Sequence, residues 1–312
     1  MPELPEVETI VRALGRFVVG RTIESVSIPD PSVIHGLAPR GFARRVKRGK
    51  IESIARRGKY IVIRLDNRVD VIIHLRMTGQ LRIGAGDWDR DADALPSAMH
   101  AKAGALGSRR SRRKQLESSA SSSFCSPRAS DPYLRVGFRL DGGRILVFRD
   151  VRRFGQVRAV PRGEYASIPG LAGLGPEPLG RRVTPEQLRA ALSGRRAPVK
   201  SLLMDQRVIA GIGNIYASEI LHAAGVDPRR PGSGIRRAEA RAIFAAVREV
   251  LRTAIRDEGT TFRDYRGPRG SRGGYRPRVY KREGEPCPVC RAAILRSLIG
   301  GRSTFYCPRC QK

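Results

Sequence analysis

Four cysteines in the spacing Cys287-x2-Cys290-x16-Cys307-x2-Cys310 constrain this chain more than any other feature. Each CxxC turn brings two thiolates within reach of one ion. The 16 residues between the pairs suit a β-hairpin that folds one pair onto the other. Four thiolates so arranged make a tetrahedral structural zinc site rather than disulfides or a redox pair. One zinc with four protein ligands has no open position, so it takes no part in bond-making. Cysteines used this way also point to a reducing compartment. A fifth, Cys125, stands apart in a Ser-rich tract and reads as a free thiol.

Charge indicates the partner. Lys and Arg number 60 against 29 Asp and Glu, a formal net charge of +31, and only 8 of the cations are Lys. Compositional bias can exchange Arg for Lys, but it does not create an excess of base over acid. A polyanion is therefore expected, and nucleic acid fits better than a membrane surface: the guanidinium fork binds phosphate bidentately and stacks on bases. No apolar run approaches the roughly 20 residues that cross a bilayer. The first 25 residues lack the apolar core of a signal peptide.

A length of 312 residues suits two domains with a small appendage. Pro5 fits the first turn of a helix, where its missing N–H costs nothing. Val7, Ile10, Val11, Leu14 and Val18 then share one face, and Gly20 ends the pattern. The helix dipole accounts for Glu6 and Glu8 near its start. It does not account for Pro2 and Glu3, which precede it. Short β-branched runs at 23–28, 59–65, 70–75, 134–140 and 144–148, separated by turn signals, predict an antiparallel sandwich or barrel-like domain. A Ser/Arg-rich tract from about 87 to 131 interrupts it and is expected to be a disordered insertion. Helices follow. Thr184-Pro185-Glu186-Gln187 is a capping-box start; "VKSLLMD" is a short second helix; "GIGNIYASEILHAAG" is a third, ending at Gly225; and "AEARAIFAAVREVLRTAIRDEG" is a long fourth. The divisions expected are 1–160, 161–270 and 271–312.

Several short stretches carry candidate chemistry, each with a plainer reading beside it. Gly300-Gly301-Arg302 at a hairpin tip makes a cationic finger for phosphate, or an ordinary turn. Gly211 and Gly213 ahead of Asn214 let a phosphate approach free N–H groups, or simply start a helix. Lys59 after Gly58 is a phosphate contact or active-site amine, or a surface lysine on an edge strand. His74 and Met77, and likewise Arg152, Arg153 and Phe154, fall where strands meet turns. Side chains at such tips can wedge into a base stack; alternatively Met77 and Phe154 are core residues.

Taken together, "PELPEVET", "RRGKY", "HLRMTGQL", "RRFG", "LGPEPL", "GIGNIYASEIL" and "VYKREGEPCPVC…GGRSTFYCPRCQ" resemble the formamidopyrimidine-DNA glycosylase family. The resemblance covers nearly the whole chain except the insertion. It implies an α+β fold: an N-terminal β-sandwich with an N-terminal helix, a helix–two-turn–helix domain and a C-terminal zinc-ribbon finger. It also implies that Met1 is removed and that the Pro2 amine is the nucleophile of a bifunctional glycosylase and abasic-site lyase, which acts through a Schiff base with β,δ-elimination. Glu3 is then the catalytic acid, and Glu6 orients the N-terminus and base. Lys59, Asn214 and Arg302 clamp the phosphates, with His74 as a further contact. Met77, Arg152 and Phe154 fill the gap left by the extruded base, and Arg263 begins the loop that covers the lesion. The gap-fillers favour oxidised purines, 8-oxoguanine and formamidopyrimidines, as substrates in double-stranded DNA.

Arg76 stands where many members of the family have Gly, the insertion is unusual, and the lesion-covering loop is richer in Arg and Gly. Competing readings are an oxidised-pyrimidine glycosylase of the same superfamily, a non-catalytic zinc-ribbon DNA-binding protein, and an RNA-binding protein. An intact Pro2/Glu3 pair with Lys59 argues for the enzyme, because a binder has no need of them. A retained leader would block Pro2, so a monomeric enzyme of the bacterial cytoplasm, acting on the nucleoid, is expected.

Overall fold

The computed structural model describes residues 1–85, 131–181, 183–261, 267–268 and 271–312. The expected insertion, with Cys125, lies outside the described residues apart from Asp131, and so does Arg263. In chain order the main elements are α1 (Leu4–Val18), β1 (Ile23–Ser27), α2 (Pro39–Val46), β2 (Ile51–Arg57), β3 (Tyr60–Leu65), β4 (Val69–His74), β5 (Gly79–Ala85), β6 (Leu134–Leu140), β7 (Arg144–Asp150) and β8 (Gln156–Pro161). They are followed by α3 (Pro169–Ala172), α4 (Pro185–Leu192), α5 (Val199–Met204), α6 (Asn214–Ala223), α7 (Arg237–Arg256), β9 (Leu295–Ile299) and β10 (Arg302–Tyr306).

The strands form two four-stranded antiparallel sheets, ordered β1-β6-β7-β5 and β2-β3-β4-β8. Helix α1 lies against this sandwich. Its predicted face, Val7, Ile10, Val11, Leu14 and Val18, is buried in one core with Ile61, Ile73, Phe138 and Phe148. Burying each such side chain is worth about 2 kcal/mol, far more than the propensity of the helix itself. Leu4 does not join that core. It packs instead with α4–α7, among Leu203, Ile212 and Tyr216, so the first turn of α1 is inserted into the helical layer.

Two crossings between the sheets sit side by side for a topological reason. The chain passes from β4 to β5 through 75–78 and from β7 to β8 through 151–155. Because β4 pairs β8 and β5 pairs β7, His74 faces Gln156 and Gly79 faces Asp150. The loops carrying Met77, Arg152 and Phe154 are thereby brought together.

In the helical part, Thr184 caps α4 as its sequence predicts: its Oγ1 accepts from the Gln187 N–H at 3.2 Å, and Gln187 Oε1 accepts from the Thr184 N–H at 3.1 Å. Strands β9 and β10 are the hairpin expected between the cysteine pairs. Its turn is Gly300-Gly301, both at positive φ. The α+β architecture expected from the sequence is the one observed.

Candidate functional site

The acidic N-terminus that α1 alone did not explain is explained by a second helix. Glu3 is buried, and its carboxylate lies on the N-terminal end of α6. Its Oε2 accepts from the Gly213 N–H at 2.7 Å and the Tyr216 N–H at 3.4 Å; its Oε1 accepts from the Ile215 N–H at 3.0 Å. These are the amides a helix start leaves without partners, and the dipole there favours negative charge. The glycines of "GIGN" make this approach possible. A Cβ on Gly213 would fall 2.4 Å from the Glu3 carboxyl carbon, and one on Gly211 2.7 Å from the Leu4 side chain. Their bareness thus admits the chain's own N-terminus, where the sequence alone suggested room for a phosphate.

Glu6 caps its own helix, accepting from the Glu3 N–H at 2.8 Å. Its other oxygen is 2.5 Å from the Tyr216 hydroxyl and 2.8 Å from the Thr260 N–H. Burial, and then the neighbouring Glu3 charge, push its pKa up to about 7 despite these donors.

Lys59 is buried, which rejects the surface-lysine reading. It enters β3 after Gly58, whose φ is +57°, and its ammonium donates to the Ile212 carbonyl at 3.0 Å. Burial lowers its pKa, with Glu3 and Glu6 opposing and Arg302 assisting. The turn is held from outside by Glu177 of "LGPEPL". Glu177 accepts from the Gly58 N–H at 2.6 Å and from Arg56 at 2.7 Å, and Arg56 also pairs with Glu8 at 2.8 Å. Gln206 pins the facing turn: it accepts from the Gly211 N–H at 2.9 Å and donates to the Ile212 carbonyl at 2.8 Å.

A second buried lysine, Lys200, joins α5, α6 and the finger hairpin. Its ammonium donates to Asn214 Oδ1 at 2.6 Å, Thr304 Oγ1 at 2.7 Å and the Ser303 carbonyl at 3.3 Å. Burial lowers its pKa to about 8. Asn214 also donates to the Ser303 carbonyl, at 3.0 Å. Arg302, exposed next to Ser303, is thus fixed near the two lysines, and its charge lowers the pKa of both. Lys200, Glu177 and Gln206 are not among the residues picked out by sequence. Glu177 lies within the quoted "LGPEPL" but its role is not marked there, and nothing local marks Lys200 or Gln206, since these roles depend on which distant groups they meet.

Met1, Lys59, Tyr60, His74 and Arg76 line a cleft of about 470 Å³. His74 is buried, and burial with the charges of Arg76 and Lys59 drives its pKa down to about 3. Its Nδ1 accepts from the Arg76 N–H at 3.0 Å. The neutral ring therefore carries its proton on Nε2 and acts as a donor there. Arg76 holds φ +52°, a left-handed value that costs an Arg about 1–2 kcal/mol.

Met77 is 44 % exposed and Phe154 51 %, so neither is a core residue. The Arg152 guanidinium sits 4.6 Å from the Phe154 ring centroid and 3.3 Å from the Met77 sulfur. Asp150 braces both loops: it accepts from Thr78 Oγ1 at 2.5 Å, the Gly155 N–H at 2.6 Å and the Arg152 N–H at 3.3 Å.

The four cysteine sulfurs lie within 4.8 Å of one another, with Cys287–Cys310 at 3.8 Å and Cys290–Cys307 at 3.4 Å. A tetrahedron of about 2.3 Å zinc–sulfur bonds has edges near 3.8 Å, so the set fits one structural zinc.

Residues 1–157 match the formamidopyrimidine-DNA glycosylase N-terminal domain, 174–266 match its H2TH domain, and 284–312 match a zinc finger found in FPG and IleRS. The formamidopyrimidine-DNA glycosylase of Desulforamulus reducens is 39 % identical over 315 residues, covering 100 % of this chain and 99 % of that protein. The protein of the same name from Paracoccus denitrificans is 38 % identical over 319 residues, covering 100 % of both. The crystal structure of the MutM (Fpg) protein from Thermus thermophilus superposes with a TM-score of 0.78 at 36 % identity, covering 99 % of this chain and 98 % of that one. A complex of Lactococcus lactis Fpg with abasic-site DNA gives 0.79 at 25 % identity, with 99 % of each chain covered. No described helix is long and apolar enough to cross a membrane. With models matching all three parts and relatives aligned end to end, the chain belongs to the formamidopyrimidine-DNA glycosylase family.

Proposed function

We propose that this chain, a DNA-repair glycosylase by its family, excises oxidised purines from double-stranded DNA and then cuts the strand at the abasic site. The observation that carries the reading is the convergence at the N-terminus. Glu3 is seated on the amides of α6, Lys59 is buried beside them, and Met1 opens into the cleft that Lys59 and His74 line. Removal of Met1 would leave the Pro2 secondary amine there. A free α-amino group titrates near 8, about two units below lysine, so part of it is an unprotonated nucleophile at neutral pH.

In this mechanism the Pro2 nitrogen attacks C1′ and the glycosidic bond breaks, its electron pair leaving with the base. Glu3 supplies and relays the protons that ring opening needs. Departure of the sugar ring oxygen from C1′ gives an iminium, which acidifies the C2′ proton. β-Elimination releases the 3′ phosphate and δ-elimination the 5′ phosphate. Glu6, with a pKa near 7, accepts or holds a proton next to this centre. Lys59, Arg302, Asn214 and the Nε2–H of His74 bind the flanking phosphates. Met77, Arg152 and Phe154 enter the duplex where the base leaves. Arg263 belongs to the lesion-covering loop. The divisions 1–160, 161–270 and 271–312 serve as catalytic, DNA-binding and finger units. Four cysteine ligands leave zinc a structural role. A net charge of +31 supports a polyanionic partner. The bacterial relatives support action in the cytoplasm, and we take the enzyme to work as a monomer.

The test is borohydride trapping on duplex DNA with 8-oxoguanine opposite cytosine, using protein with a native N-terminus. A covalent adduct is expected, and it should vanish in Pro2→Gly or when the N-terminus is extended. An adduct formed only with oxidised pyrimidines would keep the mechanism and change the substrate. No adduct with any lesion or with an abasic site, from zinc-loaded protein that binds DNA, would sink the enzyme reading.

A further inference from the structure

A histidine outside the CxxC pairs bears directly on the zinc site. His222 lies in the last turn of α6, buried, with its Nε2 3.4 Å from Cys287 Sγ. We propose that His222 donates a hydrogen bond to the Cys287 thiolate and acts as a positioning residue of the metal site, supplied by the helical domain. This does not depend on the glycosylase reading.

Three observations carry the assignment. First, a metal-bound thiolate has only lone pairs to offer, so a ring nitrogen facing it at hydrogen-bond distance must be the donor. Second, the other ring nitrogen, Nδ1, is buried with no hydrogen-bond partner among the described residues. A proton there would be a stranded donor, whereas a proton on Nε2 has the sulfur to bond, and this fixes the tautomer. Third, the finger supplies such a donor itself to another sulfur: the Cys310 N–H lies 3.4 Å from Cys307 Sγ. The donor to Cys287 comes instead from α6.

The chemistry gives the bond its value. A divalent ion with four thiolates is doubly negative, and Cys287 is fully buried, where such charge is poorly solvated. An N–H pointed at the sulfur offsets part of that charge and lowers the sulfur's reactivity towards protons and oxidants. It also ties the metal to the helix whose other end seats Glu3 and carries Asn214. The docking around it is already close: Gln311 Nε2 donates to the Val226 carbonyl at 2.9 Å, and the Lys312 N–H to the Gly225 carbonyl at 3.0 Å.

The experiment uses the full zinc-loaded chain and measures the rate of zinc release to excess EDTA. His222→Phe keeps a ring of similar size without the donor; His222→Gln keeps an N–H. The Phe variant is expected to release zinc roughly tenfold faster, and the Gln variant at close to the native rate. Equal rates in all three proteins, or equal acceleration in both variants, would overturn the donor role. NMR of the unmodified protein loaded with ¹¹³Cd decides the matter even where a variant fails to fold. Coupling from cadmium to the Nε2-bound proton across the hydrogen bond is expected. Its absence, or a one-bond coupling from cadmium to the ring nitrogen that would make His222 a ligand, overturns the proposal.

Discussion

The buried junction around Glu3 and the exposed loops around Met77 solve opposite problems. At the junction, charged groups are taken out of water and each is answered among the described residues: amides for Glu3, two N–H groups and a hydroxyl for Glu6, a carbonyl for Lys59, and oxygens for Lys200. At the loops, apolar side chains are left in water, while the polar atoms beneath them, centred on Asp150, are bonded to one another. The first region is complete without a partner, and the second stays incomplete until something covers it. Changes at the junction should therefore cost both folding and chemistry. Changes at the loop tips should cost chemistry alone.

The contrast is sharpest at Glu3. Glu3→Gln keeps the shape but offers one accepting oxygen where two now meet three amides. Base release in single-turnover assays should fall by about 10²–10⁴, the usual worth of a positioned acid. The melting temperature should fall as well. Unchanged melting would mean that the α6 amides do not hold this carboxylate. Glu177→Ala comes next. It strands the Gly58 N–H and part of the nearly buried Arg56, which should cost about 2–3 kcal/mol in denaturant unfolding. It should also weaken abasic-site cleavage by loosening Lys59. On the other side, Phe154→Ala should leave stability within about 0.5 kcal/mol. Excision of a paired lesion should slow by roughly tenfold, with less effect on an abasic site that has no base to extrude. A large stability loss in Phe154→Ala would erase the distinction between the two regions.

What the sequence discloses follows the same division. The cysteine spacing, the buried face of α1 and the Thr184 cap are local patterns, and each is found in the fold where periodicity or spacing puts it. Strands β2, β5 and β8 and helix α2 are not among the elements read from sequence. Segment 51–57 carries three charged residues in seven, and its pairing with β3 overrides its weak strand pattern. Lys59, Asn214 and Arg302 are marked by their own short stretches, each with a plainer reading beside it, whereas the roles of Pro2, Glu3 and Glu6 come from the resemblance. The groups that hold them do not show locally. Lys200 and Glu177 act on backbone atoms more than 100 residues away, and only the tertiary fold brings those atoms near. The glycines of "GIGN" are legible as a demand for bareness but not as room for Glu3.

The smallest effect expected is a titration, and it tests whether the junction is as closed as its hydrogen bonds imply. Glu6 has its pKa raised to about 7 in the folded protein, whereas an unfolded chain ionises it near 4.5. Between these values the folded state holds a proton that the unfolded state has lost, so stability falls as pH rises. The contribution is fully present below pH 4.5 and gone above 7. From about pH 6 to about pH 8 the loss is about 1 kcal/mol. Glu6→Gln cannot titrate, so its unfolding free energy should be flatter by that amount over the same range, measured in urea at constant ionic strength. The exposed wedge loops supply a control, since Phe154→Ala should keep the native pH dependence. Parallel curves for Glu6→Gln and the native protein would mean that Glu6 ionises as freely as a surface acid. Water would then reach the junction, and its contrast with the loops would be one of composition rather than of burial.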